Sequence, residues 1–346
     1  MKFVPRELGI GEEGQKTSAK ISALGRLITF SSLSGLVLLG VIAFGYGVPA
    51  SDRSLASNPT TAPRQFLQGG GTAIKTHSQI AYLLPLSEPN PFPLRLPGSE
   101  DFISSARAVL LFDTDNQRVI YSKNSQRQLP VASLTKLLTA MVVLDKLDPL
   151  AKVRVSAQYL NVDKTGADFR AGEVFTVNAL VGALLVKSSN DAAYLLAAET
   201  EQITGEDFVG LMRLKSERLG LKHSHWLDPA GLNDEAYSSA EDLLILARQT
   251  QLYPLIGQVL VLPEIDLVAE SGQRYHFIST NKLFGALDGI IGGKTGYTDG
   301  AGGCMLLEIK LPSVKSSLVA IVLGTDDRFA ETKKLMEWAK VSFRWK

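Results

Sequence analysis

Ser133 and Lys136 stand three residues apart in the stretch Leu129-Pro-Val-Ala-Ser-Leu-Thr-Lys136. A serine hydroxyl is a poor nucleophile until a base takes its proton, and a desolvated lysine one turn along a helix can take it with no histidine involved. The three-residue spacing puts hydroxyl and amine on one helical face. After Pro130, apolar residues recur at helical period (Leu134, Leu137, Leu138, Met141, Val142, Leu144), which predicts a buried helix with Ser133 at its positive end.

Two further stretches carry polar side chains suited to the same chemistry. Lys187-Ser-Ser-Asn190 lies between two predicted helices, and Gly292-Gly-Lys-Thr-Gly-Tyr297 lies on a predicted strand. The chain therefore reads Ser-x-x-Lys, Ser-x-Asn and Lys-Thr-Gly in that order. Each short pattern has a competitor: Ser279 with Lys282, Ser122 with Asn124, and Lys164-Thr-Gly166. Ser279 follows a strand-like alternation, Ser122 precedes the first pair, and Lys164 sits among charged residues as a turn would. Only the set built on Ser133, Ser188 and Lys294 keeps the order.

The elements that must position these residues can be read from periodicity. Ala108–Phe112 and Arg118–Tyr121 form a predicted hairpin that leads into the Ser133 helix. The middle of the chain is helical: Thr176 caps 177–187, Asp191 caps 192–201, 206–219 is amphipathic, and Ser239 caps 240–249. Strands return at 264–269, 273–280, 290–298, 304–310 and 318–323, before a last helix from Phe329 to Trp345. The expected fold is α+β, an antiparallel sheet covered by helices with an inserted helical subdomain.

Composition narrows the function. A formal charge of +1, with 36 basic against 35 acidic residues, gives no electrostatic footprint for nucleic acid. Cys304 is the single cysteine and no Cys/His cluster has zinc spacing, so neither a disulfide nor a metal centre is expected; the His223, His225 pair reads as a surface turn.

The chain before residue 102 reads differently. Leu27 to Val48 is an uncharged apolar run long enough to span a bilayer, preceded by Lys2, Arg6, Lys16, Lys20 and Arg26. Basic residues stay in the cytoplasm, which predicts a cytoplasmic tail (1–26), a transmembrane helix or signal-anchor (27–48), an extracytoplasmic linker (49–101) rich in Ser, Pro, Thr and Gly, and a catalytic domain (102–346) outside the membrane. Cleavage near Ala50, which would release the domain, is the alternative.

The three patterns and their flanks resemble the serine D-alanyl-D-alanine carboxypeptidases, the low-molecular-weight penicillin-binding proteins. The flanks that carry the resemblance include Trp226-Leu-Asp-Pro-Ala-Gly-Leu232, the run from Lys294 to Cys304, and Leu323-Gly-Thr-Asp-Asp-Arg-Phe329. It covers about residues 102–346 and implies a β-lactamase or penicillin-binding transpeptidase-like fold, no cofactor, and removal of the terminal D-alanine from peptidoglycan stem peptides. β-Lactams are then expected as covalent inhibitors. The resemblance assigns Ser133 as nucleophile, Lys136 as base, Ser188 as proton relay and Asn190 as partner of Lys136 and the substrate amide. Lys294, Thr295 and Arg328 are expected at the substrate carboxylate, Gly296 at its backbone, and the N–H groups of Ser133 and Tyr297 at the oxyanion.

Three other activities share parts of this pattern. A D,D-endopeptidase cutting cross-links uses the same site. A class A β-lactamase needs a glutamate-held water between the second and third motifs. That interval holds no Glu-x-x-Leu-Asn here. A membrane-bound β-lactam sensor without turnover needs an intracellular effector domain, for which residues 1–26 are expected to be too short.

Overall fold

Along Leu318–Leu323, odd and even residues bury into two different cores. Val319, Ile321 and Leu323 join the large core beneath the helices, whereas Leu318, Ala320 and Val322 join a smaller one on the opposite face. This period of two is that of a strand covered on both sides. A computed structural model of the protein describes residues 92–163, 168–312 and 314–345, and the predicted span Leu27 to Val48 lies outside them.

The elements follow in chain order. Strand β1 (Leu94–Arg95) precedes the hairpin β2 (Ala108–Asp113) and β3 (Arg118–Lys123), and a 3-10 turn (Ala132–Thr135) leads into α1 (Lys136–Lys146). Then come β4 (Lys152–Arg154), β5 (Val174–Thr176), α2 (Val177–Val186), α3 (Asn190–Thr204), α4 (Phe208–Leu219), α5 (Ala240–Thr250) and α6 (Pro254–Leu260). A small hairpin, β6 (Glu264–Val268) and β7 (Arg274–Ile278), is followed by β8 (Ile290–Thr298), β9 (Gly302–Lys310), β10 (Ser317–Thr325), α7 (Arg328–Ser342) and β11 (Phe343–Arg344).

The main sheet has the order β3-β2-β10-β9-β8, antiparallel throughout, with β8 on one edge. Leu335, Met336 and Ala339 of α7 cover one face. On the other face α1 is enclosed: Leu137, Leu138, Ala140 and Met141 are all fully buried. Each such leucine contributes roughly 1.5–3 kcal/mol by leaving water. The α+β expectation is met by this sheet, with the helices α2 to α4 inserted between its strands in sequence.

Several local expectations shift. The 3-10 turn holds Ser133, and α1 starts at Lys136 rather than at the serine. Ser189, not Asp191, caps α3: its hydroxyl accepts from the Ala192 N–H at 3.0 Å, while Asp191 accepts from the Asp168 N–H at 2.8 Å. Helix α7 ends at Ser342, and Phe343–Arg344 pair with Leu94–Arg95, drawing part of the predicted linker onto the domain. Trp345 Nε1 secures that end by donating to Asp113 at 2.7 Å. Among the described residues no helix is long and apolar enough to cross a membrane.

Candidate active site

Three elements converge where the 3-10 turn meets edge strand β8. Gly296 lies so close to that turn that a Cβ there would stand 2.8 Å from the Val131 carbonyl oxygen and 3.1 Å from the Ser133 nitrogen. Any larger residue would push β8 off the nucleophile. Ala132 (φ 48°) and Ser188 (φ 62°) both occupy the left-handed region that non-glycine residues avoid, at a cost of order 1 kcal/mol each.

Lys136 is fully buried, and its Nζ makes three hydrogen bonds: to Ser133 Oγ at 2.8 Å, Asn190 Oδ1 at 2.6 Å and the Ala230 carbonyl at 2.7 Å. Burial pushes its pKa down to about 7, against the pull of Asp228, Asp163 and Asp168, which favour the charged form. A neighbouring cation such as Lys294 would also lower it. Burial alone does so, and the charge repulsion falls on Lys294 instead. That lysine is held well below the usual range by burial first, then by Lys136 and Arg328.

Lys294 Nζ donates to Ser188 Oγ at 2.7 Å and to the Thr295 carbonyl at 2.8 Å. Ser188 sits on the short link between α2 and α3, so the Ser-x-Asn segment meets Lys136 through Asn190 and Lys294 through Ser188. Thr295 Oγ1 lies 2.7 Å from Thr280 Oγ1. Arg328 opens α7, stacks 4.6 Å from the centre of the Phe329 ring and lies 5.9 Å from that of Tyr297. Its buried Nε finds no hydrogen-bond acceptor among the described residues. Tyr297 is more than half exposed at the mouth. Ser133, Lys136, Ser188, Asn190, Lys294, Thr295, Gly296, Tyr297 and Arg328 are thus drawn into one region.

The competing serine is occupied elsewhere. Ser279 Oγ accepts from the Asn281 N–H at 3.2 Å, and Lys282 sits 5.9 Å over the Phe329 ring. Lys164-Thr-Gly166 lies outside the described residues. Among the described residues no group of three His, Cys, Asp or Glu converges as metal ligands.

Two contributors carried no assignment from sequence. Asp228 accepts from the N–H groups of Ala230, Gly231, Leu232 and Asn233, an Asx-type turn that points the Ala230 carbonyl at Lys136. Gly231 (φ 74°) is obligatory there, because a Cβ would stand 2.0 Å from the Ala132 carbonyl oxygen. The Asp-Pro-Ala-Gly composition signals such a turn, although nothing local says what its carbonyl meets. Asp163 accepts from Asn190 Nδ2 at 2.6 Å, which orients the amide so that Oδ1 faces the lysine.

Comparison with known proteins supports the same reading. A family model described as D-alanyl-D-alanine carboxypeptidase matches residues 98–327. The D-alanyl-D-alanine carboxypeptidase DacF of Bacillus subtilis is 30% identical over 70% of this chain, which spans 64% of that relative's length. A D-alanyl-D-alanine endopeptidase of Pseudomonas aeruginosa is 32% identical, covering 70% of this chain and 79% of its own. Among solved structures, a D-alanyl-D-alanine carboxypeptidase from Mycobacterium tuberculosis superposes with a TM-score of 0.64 at 25% identity, over 72% of this chain and 96% of that one. Penicillin-binding protein D2 of Listeria monocytogenes, solved with ampicillin bound, gives 0.58 at 28% identity, over 69% and 99%. A serine paired to a buried lysine at the edge of an antiparallel sheet, and a family match that contains every residue of that pairing, place this chain in the D-alanyl-D-alanine carboxypeptidase family of serine peptidases.

Proposed function

We propose that the protein removes the terminal D-alanine from peptidoglycan stem peptides through an acyl-enzyme on Ser133. The observation that carries this is the 2.8 Å contact from Lys136 to Ser133 together with the complete burial of that lysine, which pushes its pKa down. Neutral Lys136 takes the Ser133 proton as Oγ attacks the carbonyl between the two D-alanines. The N–H groups of Ser133 and Tyr297 stabilise the oxyanion, and Ser188, linked to Lys294, passes a proton to the leaving amine. Water then releases the shortened peptide. The substrate backbone lies along the edge of β8, which Gly296 keeps close against the Ser133 turn. β-Lactams occupy the same site as covalent inhibitors. D-alanine release from a pentapeptide ending in D-alanyl-D-alanine, by the purified protein, tests the reading; release of none overturns it. The endopeptidase relatives make cross-linked dimers the second substrate to assay.

Lys294, Thr295 and Arg328 are proposed to hold the substrate carboxylate. Lys294→Ala should therefore lose much of its effect on a substrate whose terminal carboxylate is amidated, since one partner of that pair is already gone. A double cycle should show coupling above about 1 kcal/mol. Additive losses would leave Lys294 a partner of Ser188 only.

The span Leu27 to Val48 and its basic flank support an anchor with the catalytic domain outside the cytoplasm. A C-terminal reporter fusion should be active only in its exported form, and cytoplasmic activity alone would reverse the topology.

A further inference from the structure

We propose that Asp234 and Arg107, two charged residues outside the three motifs, are positioning residues. They hold the β8–β9 turn so that the Tyr297 N–H stays at a fixed distance from the Ser133 N–H. The proposal rests on the reading of those two groups as the oxyanion hole.

Tyr297 is the last residue but one of β8, an edge strand, and a hairpin tip at an edge is where local opening costs least. Here the tip is held from both sides. The Asp234 carboxylate accepts from the Thr298 hydroxyl and from the Gly300 N–H (3.2 Å), and Thr298 Oγ1 in turn accepts from the Ala301 N–H at 3.1 Å. From the other side the Arg107 guanidinium donates to the Gly300 carbonyl at 2.9 Å and to that of Ala301. Both charged groups sit against bare backbone. A Cβ at Gly300 would stand 2.4 Å from Asp234 Oδ2, and one at Gly324 (φ 69°) would stand 2.1 Å from Arg107 Nε.

What each residue is anchored to gives the arrangement its consequence. Asp234 follows directly on the turn organised by Asp228, which presents the Ala230 carbonyl to Lys136 and packs Gly231 against Ala132. One short segment therefore touches the nucleophile's turn at one end and the β8–β9 turn at the other. Arg107 enters β2 and its own N–H donates to the Gly324 carbonyl at 3.1 Å, which ties the tip to β2 and β10 in the middle of the sheet. The two oxyanion donors belong to different elements, and this clip sets their separation. Donor placement matters because an oxyanion hole works by being organised before charge develops.

The test is acylation by a penicillin under single-turnover conditions, separating the acylation rate constant from the initial binding constant, with thermal melts alongside. Deleting an oxyanion donor outright costs about 10²–10³-fold, so loosening one should cost less, about 10-fold, in the rate constant for Asp234→Ala and for Arg107→Ala. Initial binding should change less than about twofold if the loss arises only in the transition state. Thr298→Val should behave like Asp234→Ala, whereas Thr298→Ser, which keeps the hydroxyl, should restore the parental rate constant. This pair reports on the same contact should Asp234→Ala fail to fold. Variants that melt lower yet acylate at the parental rate would reduce the two residues to structural braces and overturn the proposal. A parent protein that is not acylated at Ser133 would overturn the functional reading and this one with it.

Discussion

Ser133→Ala is expected to abolish covalent labelling by a fluorescent penicillin, while Ser279→Ala leaves labelling at the parental level. A β-lactam presents a strained amide in place of the D-alanyl-D-alanine bond and stays attached to whichever serine attacks it. Both serines have a lysine three residues on, so sequence spacing alone treats them alike. Their surroundings do not. Ser133 Oγ accepts a hydrogen bond from a lysine with no exposed surface and a pKa near 7, which can be neutral at the moment of attack. Ser279 Oγ is engaged with the Asn281 N–H, and Lys282 is over the Phe329 ring rather than beside the hydroxyl. Alanine at 133 removes one oxygen from a turn already strained at Ala132, so the fold should persist. A melting curve close to the parent's would show that lost labelling is lost chemistry. Labelling that survives Ser133→Ala would place the nucleophile elsewhere.

The chemistry of this site was legible where it is written in side chains close together along the chain. Ser133 and Lys136 meet because a helical turn makes them meet, and the order of the three motifs separated them from their competitors. The strand pattern was equally plain where a short apolar run of four or more residues stood between turn signals, as in β9 and β10. Contacts made by backbone were not legible. The Ala230 carbonyl is one of three acceptors on Lys136, yet a carbonyl has no residue type to search for. The same holds for β1 and β11, two residues each, which exist only because the chain's distant parts come together. Helix α6 is seven residues long and begins on a proline, too short for periodicity to reveal. The cap of α3 is Ser189 because the helix already begins at Asn190, which leaves Asp191 inside its first turn, where its carboxylate accepts from the Asp168 N–H of another loop. Asp163, Asp168 and Asp228 all act on Lys136 from segments far along the sequence, so the direction of its pKa could be argued from burial but the opposing carboxylates could not.

Lys136→Ala should lower the acylation rate by at least about 10²-fold for every substrate, the usual cost of removing a general base. The sharper variant is Lys136→Arg. A guanidinium keeps the positive charge and the length to reach Ser133 or Asn190, but it does not deprotonate in the accessible range. If Lys136 acted only by its charge, arginine would retain much of the rate; as a base it must lose about as much as alanine does. The pH profile gives an independent reading. Below about 7 the buried amine is protonated, donates to Ser133 and cannot accept its proton; above about 7 it is neutral and can. Acylation by an uncharged-tail penicillin should therefore rise with pH through a limb with its midpoint near 7. Asp163→Asn removes one of the three carboxylates that favour the charged amine and keeps an oxygen for Asn190 Nδ2. Its limb should shift to lower pH, so that the variant acylates relatively faster below 7 than its parent does. A limb that stays in place when Asp163 is neutralised, or an arginine variant that acylates near the parental rate, would take the base role away from Lys136.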